Sequence, residues 1–236
     1  MPPCEPRIDL LKSDLFGRVE LVHLNEGEPS SNRGGAGGNQ TVPTEWVRRD
    51  TSCARWWVKP LARYLARREF RALQALSDLP RVPKLLSWGN GILERSWQPG
   101  LPLQLAEAQG PAYFAAAFRL LVQLHRRGVA HNDLAKEPNW LVDENGDPAL
   151  IDFQLASIHK RRSRRFRLCA REDLRHLLKH KRTYCPQSLT PRELQILANP
   201  SAAARLWRAT GKRIYLLITR GLLGWSDREG AGDRNL

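Results

Sequence analysis

The chain has 236 residues, 42% of them apolar, and a formal net charge of +14, which supports one large domain or two small lobes around a true core without covalent staples. Cys4, Cys53, Cys169 and Cys185 stand far apart with no paired short spacing, which excludes a zinc cluster and a disulfide framework and reads as free thiols of a reducing compartment. Residues 1–14 carry Glu5, Asp9 and Asp14 and no apolar core, so no secretory leader is expected, and no run reaches the roughly 20 apolar residues of a membrane span.

In chain order, residues 17–24 read as a strand, and residues 25–44, rich in Gly, Ser, Pro and Asn, read as a flexible loop. The run Gly34-Gly35-Ala36-Gly37-Gly38 lacks a flanking strand pattern and G-x-G-x-x-G spacing, so it is a poor phosphate cradle. Residues 45–49 and 53–58 look extended, because Trp46, Val47, Trp56, Trp57 and Val58 favour strand. A helix is predicted from Pro60, suited to a first helical position, to about residue 79.

Its inward stripe is written Leu61, Leu65, Glu69, Ala72 or Leu73, and Leu76, with Ala62, Ala66 and Phe70 beside it and Arg67, Arg68, Arg71 and Gln74 opposite. Glu69 is thus a single acid in an apolar face. An unpaired buried carboxylate is costly, so Glu69 either meets a cation, sits at a cleft, or snorkels at the helix edge.

A second helix opens at Pro111, shows Phe114, Ala117 or Phe118, Leu121 and Leu124 on one face, and ends near Gly128. Beyond it, residues 140–142 and 149–151 read as short strands joined through Asn145-Gly146, a strong hairpin signal. The hairpin puts two polar segments at adjacent strand ends: 131–139 enters one strand and Asp152 leaves the other. Asp133 and Asp152 can then converge, with an amide nearby, into the oxygen-rich site that magnesium-bound phosphates require.

His131-x-Asp133-Leu134 with the later Asn139, followed by Ile151-Asp152-Phe153, resembles the catalytic loop and metal motif of the protein-kinase-like superfamily. It is most similar in flavour to small bacterial branches, the RIO-type kinases and the Kdo and heptose kinases of the lipopolysaccharide core. The resemblance spans roughly residues 14–178 and implies an α+β, two-lobed fold: a β-rich amino-terminal lobe with one helix at 8–98 (with the loop at 25–44), a mainly helical lobe at 99–226, and a tail at 227–236.

It also implies ATP and Mg²⁺ as cofactors. Asp133 takes the role of catalytic base, His131 braces the loop, and Lys136 belongs to the same catalytic group. Asp152 is the main metal ligand and Asn139 a second one. Glu69 becomes the helix acid that pairs with a phosphate-binding cation, and 92–100 the adenine-holding hinge.

The pattern departs in places. Asn139 lies six residues after Asp133 where the family has five, Gln154 replaces the glycine after Phe153, and no Ala-Pro-Glu follows. The phosphate-binding cation has two candidates. Arg49 suits by its place in a strand twenty residues before Glu69, and Lys59 by its chemistry, although it stands ten residues before Glu69 at the helix start.

Between residues 155 and 185 eleven basic residues face only Glu172 and Asp173. Such a block attracts polyanions in general, whether phosphate groups, nucleic acid or an acidic membrane face, and within it 161–167 either grips an anionic acceptor or forms a mobile solvated loop. His176 and His180 read as part of that solvated basic face. Thr190-Pro191-Arg192-Glu193 is a capping box opening a helix, and Ser201 caps another. Residues 214–225, broken by Arg220, Gly221 and Gly224, read as a buried terminal segment, and the eight tryptophans mostly as anchors in strands and helices.

The sequence therefore points to a cytoplasmic kinase, with peripheral contact at the inner membrane allowed, that moves the ATP γ-phosphate to a hydroxyl of a protein Ser/Thr or a lipopolysaccharide-type sugar. The alternatives are a pseudokinase-like scaffold and, less favoured because no aromatic-interleaved basic motif is seen, a nucleic-acid binder.

Overall fold

The computed structural model describes residues 6–24, 44–106 and 110–199. Most of the loop at 25–44 with its glycine run, Cys4, Ser201, the apolar stretch at 214–225 and the tail lie outside them. The chain divides into two compact units, residues 1–78 with 82–98 and residues 79–81 with 99–236.

In the first unit, β1 (Arg7–Asp14), β2 (Gly17–His23) and β3 (Glu45–Asp50) precede α1 (Lys59–Ala75), and β4 (Leu85–Gly89) and β5 (Ile92–Ser96) follow it. They form an antiparallel sheet of order β1-β2-β3-β5-β4 among the described residues. The sequence reading did not foresee β1, whose alternation is broken by a bulge between Leu10 and Lys12. The β4–β5 hairpin turns through Asn90 (φ 52°) and Gly91 (φ 83°), both left-handed as a two-residue loop requires. Residues 92–96, expected as part of a hinge, are thus a strand inside this sheet.

Two expectations fail here. Residues 53–58 are not extended: Val58 N–H and Lys59 N–H both donate to the Arg55 carbonyl (2.9 Å each), closing a turn that feeds α1. The buried stripe of α1 is Ala62, Ala66, Glu69, Ala72 and Leu73, and Leu61 is 50% exposed. Small Ala62 and Ala66 let the helix lie close on the sheet, and close packing beats the larger but mispositioned Leu61.

The second unit comprises β6 (Leu101–Pro102), α2 (Pro111–Arg126), β7 (Val129–Ala130), β8 (Trp140–Val142), β9 (Pro148–Leu150), β10 (Ser157–Ile158), α3 (Arg164–Tyr184) and α4 (Pro191–Ala198). Strands β6, β8 and β9 form one small antiparallel sheet, and β10 pairs with β7. Phe114, Leu121 and Leu124 of α2 join Trp140, Leu150, Phe153 and Leu134 in its core. After α2 the chain turns at Gly128 (φ 73°), where a Cβ would collide with the His159 carbonyl, so only glycine fits.

The second half of the arginine run belongs to a helix: Ser163 Oγ accepts from Phe166 N–H at 3.2 Å and caps α3, so Arg164, Arg165 and Arg167 lie in its first turn while Arg161 and Arg162 precede it. His176 and His180 are not on a solvated face. His180 is buried and donates from Nε2 to the Leu134 carbonyl at 2.8 Å, and burial lowers the His176 imidazole to about 4. The predicted capping box is present at Thr190 and Glu193.

Candidate active site

Within the second unit, the short chain from β7 to β8 is the segment that the sequence marks as a candidate catalytic loop. His131 is fully buried, and its ring makes two bonds of opposite sense: Nδ1 accepts from Asp133 N–H at 3.3 Å, so Nε2 carries the proton and donates to the Ile151 carbonyl at 3.0 Å. One side chain thus ties the residue that precedes Asp152 to the backbone of Asp133. The ring also packs on Phe153 with centroids 4.7 Å apart.

Asp133 is partly buried. Asn139 Nδ2 donates to its backbone carbonyl at 2.9 Å and to Oδ2 at 3.2 Å, and Lys136 Nζ stands 3.0 Å from the same Oδ2. Burial pushes the Asp133 carboxyl above the ordinary aspartate range; Lys136 opposes the shift, and the negative charge of Asp152 adds to it. That mutual effect places the two acids within electrostatic reach of each other. Asp152 itself adopts a left-handed backbone (φ 63°), uncommon for a non-glycine residue, and Gln154 Nε2 donates to its Oδ1 at 2.6 Å. The residue that replaces glycine in the motif therefore clamps the acid it follows.

Two positioning groups escaped the sequence reading. Asp173 of α3, 1% exposed, accepts from His131 N–H (2.8 Å), Asn132 N–H (2.9 Å) and His125 Nε2 (3.1 Å). It anchors the start of the loop to the helix. Its signal was available: an acid in a basic helix, in helical register with Phe166, Leu177 and His180. Asn132 (φ 67°) reaches across with Nδ2 to the Leu155 carbonyl (2.8 Å) and Ser157 Oγ (3.0 Å), binding the loop to the segment after Asp152.

In the first unit, Glu69 is fully buried and meets two guanidinium groups. Arg49 Nε on β3 lies 3.2 Å from Oε2, and Arg95 Nε on β5 lies 3.1 Å from Oε1. No hydrogen bond is well aligned on either carboxylate oxygen, so the attraction is Coulombic more than directional. Of the two candidate cations, the structure brings Arg49 to Glu69. Lys59 opens α1 ten residues upstream, about 15 Å away along the helix axis. Arg95 was missed because it falls on a strand that had been read as hinge.

Among the described residues no group of three or more His, Cys, Asp or Glu side chains could by itself hold a metal ion. The donor set at Asp152 and Asn139 nevertheless fits a magnesium ion that arrives with phosphate oxygens, which needs only one or two protein ligands. With its nitrogen committed to Asp133, the Asn139 carboxamide keeps its oxygen, the donor type a hard cation takes.

Comparison with known proteins agrees with this architecture. The RIO-domain family matches residues 47–194. A CBL-interacting serine/threonine-protein kinase 5 from Arabidopsis thaliana is 30% identical over 124 residues, covering 52% of this chain and 25% of that protein. The Rio2 kinase of Chaetomium thermophilum, solved as an ADP/Mg²⁺-phosphoaspartate complex, superposes with a TM-score of 0.52 at 16% identity, over 87% of this chain and 65% of that one. The chain thus spans a quarter of the plant kinase and under two thirds of the fungal one. Since the family match takes in β3, Glu69, the catalytic loop and α3 alike, this chain belongs to the RIO-domain family of the protein-kinase-like superfamily.

Proposed function

We propose that this chain is an ATP-dependent phosphotransferase that moves the γ-phosphate to an alcohol, on a protein Ser/Thr or a lipopolysaccharide-type sugar, with the two units as its small and large lobes. The observation that carries the reading is Asp133: a carboxyl raised by burial, held on one oxygen by Asn139 and Lys136, within electrostatic reach of Asp152. A raised carboxylate is a better proton acceptor near neutral pH than an ordinary one. Asp133 orients the acceptor hydroxyl and takes its proton as that oxygen bonds to phosphorus and the bond to the leaving diphosphate breaks.

Asp152 and Asn139 would hold Mg²⁺, which when bound offsets the negative charge of the phosphate oxygens. Lys136 opposes the rise of the Asp133 carboxyl. His131, Asn132 and Asp173 keep the loop in place. Arg49 serves as the phosphate-binding cation, oriented by Glu69.

The acceptor reading draws on the short run from Asp152 to Ser163, which leaves little chain for docking an extended peptide, and on the exposed Lys160, Arg161, Arg162, Arg164, Arg165 and Arg167. Together they favour a compact, anionic acceptor.

The test is γ-phosphate transfer to cell-lysate components by wild type and Asp133→Ala, alongside thermal melts with ATP and Mg²⁺. Transfer lost in Asp133→Ala, together with metal-dependent stabilisation lost in Asp152→Ala, is expected. Equal labelling by both proteins would overturn the reading, and nucleotide binding without any transfer would move it to a scaffold. A second reading is favoured by the phosphoaspartate of the fungal kinase: label on this chain itself that hydroxylamine removes would mark an acyl phosphate, formed as a carboxylate oxygen bonds to the γ-phosphorus and the bond to the leaving diphosphate breaks.

A further inference from the structure

The turn before α1 and the outer face of α1 expose side chains that a sequence of this kind normally buries. Trp56 is 85% exposed, Trp57 48%, Leu61 50% and Tyr64 56%. The turn is held by the paired bonds of Val58 and Lys59 to the Arg55 carbonyl and by Arg55 N–H donating to the Leu15 carbonyl at 3.3 Å. The indoles are therefore presented by a hydrogen-bonded backbone attached to the sheet.

Charge accompanies them. From Ser52 to Ser77 the chain carries Arg55, Lys59, Arg63, Arg67, Arg68 and Arg71 and a single acid, Glu69, which is fully buried and already neutralised from within. No carboxylate of this stretch offsets its outer charge. Arg68 lies 5.7 Å from the Tyr64 ring centroid, so at least one cation is stacked on an aromatic of the same face.

We propose that the face formed by Trp56, Trp57, Leu61, Tyr64, Arg67 and the Tyr64-stacked Arg68 docks this protein on a membrane surface rich in anionic phospholipid. Indole and phenol rings partition to the boundary between headgroups and acyl chains, where an apolar body and a polar tip are both satisfied. Arginines along the same helix meet lipid phosphates, as in amphipathic surface helices whose binding adds apolar burial to charge attraction. Nucleic acid also takes aromatic and basic side chains, yet it has no counterpart for the exposed Leu61, four residues after Trp57, which acyl chains would cover. An acidic peptide would answer the charge but leave two adjacent indoles exposed.

The inference is independent of phosphoryl transfer: the face contains none of the residues assigned to the catalytic loop, to the metal, or to the pairing with Glu69. It places the membrane contact on residues of the first unit other than the basic run at 160–167.

The test uses the full chain and sedimentation with vesicles of phosphatidylcholine alone or mixed equally with phosphatidylglycerol, including vesicles with brominated acyl chains that quench inserted indoles. The expected result is binding to the anionic vesicles only, weakened by salt, with tryptophan quenching. Trp56→Ala/Trp57→Ala should bind roughly ten-fold or more weaker, from the lost apolar burial. Arg67→Ala should weaken binding roughly five-fold, from about 1 kcal/mol per surface cation.

Both sets of side chains are exposed, so unchanged thermal melts of the variants serve as the folding control. Absence of binding to anionic vesicles overturns the proposal. So does binding that the tryptophan pair does not affect, which would assign it to another basic surface. Tryptophan-dependent binding to a single-stranded oligonucleotide without vesicle binding would overturn it in favour of nucleic acid.

Discussion

Glu69 in the first unit and Asp133 in the second are both acids drawn out of water, and their surroundings differ in one decisive respect. Glu69 is fully enclosed and sits between two guanidinium groups, so its negative charge is over-compensated. Asp133 is only partly buried and has one lysine and one amide, with a second acid within electrostatic reach, so burial and repulsion outweigh compensation and its carboxyl rises. A saturated acid is a structural hub; an under-compensated one is poised to accept a proton. The same chemical group is thus set to two tasks by the number of cations beside it.

The contrast predicts first that removing each acid fails in a different way. Asp133→Asn should keep the fold and nucleotide-dependent stabilisation while transfer falls by roughly a hundred- to ten-thousand-fold, the range of a lost general base. Glu69→Gln should instead cost stability, about 3–5 kcal/mol, because two enclosed guanidinium groups lose their counter-charge. Chemical denaturation and single-turnover labelling on both variants separate the outcomes. If Asp133→Asn unfolds and Glu69→Gln merely slows transfer, the assignment of roles is reversed.

A finer probe is the pH profile. With Asp133 as the proposed base, the active form is the ionised one, and because burial raises its carboxyl above the ordinary aspartate range, activity should fall on the acid side at a higher pH than a free aspartate would give. Lys136 holds that rise in check. Lys136→Met should therefore move the acid limb further up, with less loss at alkaline pH than at neutral. An acid limb that stays in place would show that another group controls it. Arg49→Lys, which preserves the charge and loses the planar fork, should leave the profile's shape alone while weakening nucleotide binding.

The local geometry of residues 131–152 was legible because it is written in contiguous residues with fixed spacings and because a hairpin joins its two halves; no long-range packing had to be guessed. The pairing of Arg49 with Glu69 was half legible: helix periodicity marks an acid on an apolar face, but which cation reaches it depends on how strands align. Arg95 was invisible for that reason. Trp56 and Trp57 were misread because strand propensity describes a side chain that packs on a sheet, whereas the backbone at 55–59 turns instead, closed by local hydrogen bonds. The inward face of α1 was rotated because alanine, small enough for close approach, carries little weight in a hydrophobic stripe.

The smallest expected effect lies away from both acids, at Glu193, and shows what a surface carboxylate does by comparison. Burial alone would push the Glu193 carboxyl up, but the Thr190 backbone N–H at 2.8 Å and Lys181 Nζ at 2.9 Å outweigh it, and the carboxyl sits below the ordinary glutamate range. A depressed carboxyl contributes stability that is present above its unfolded value and lost as pH falls through the folded one. Glu193→Gln should therefore lower stability by about 1 kcal/mol at neutral pH, the scale of a helix cap and an exposed ion pair together. The gap between wild type and variant should close as the pH is taken below the glutamate range. Transfer should be unaffected, since α4 supplies no group to the loop at 131–139. A gap that instead widens in acid would mean that the capping box and the lysine contact are not what hold α4 against α3.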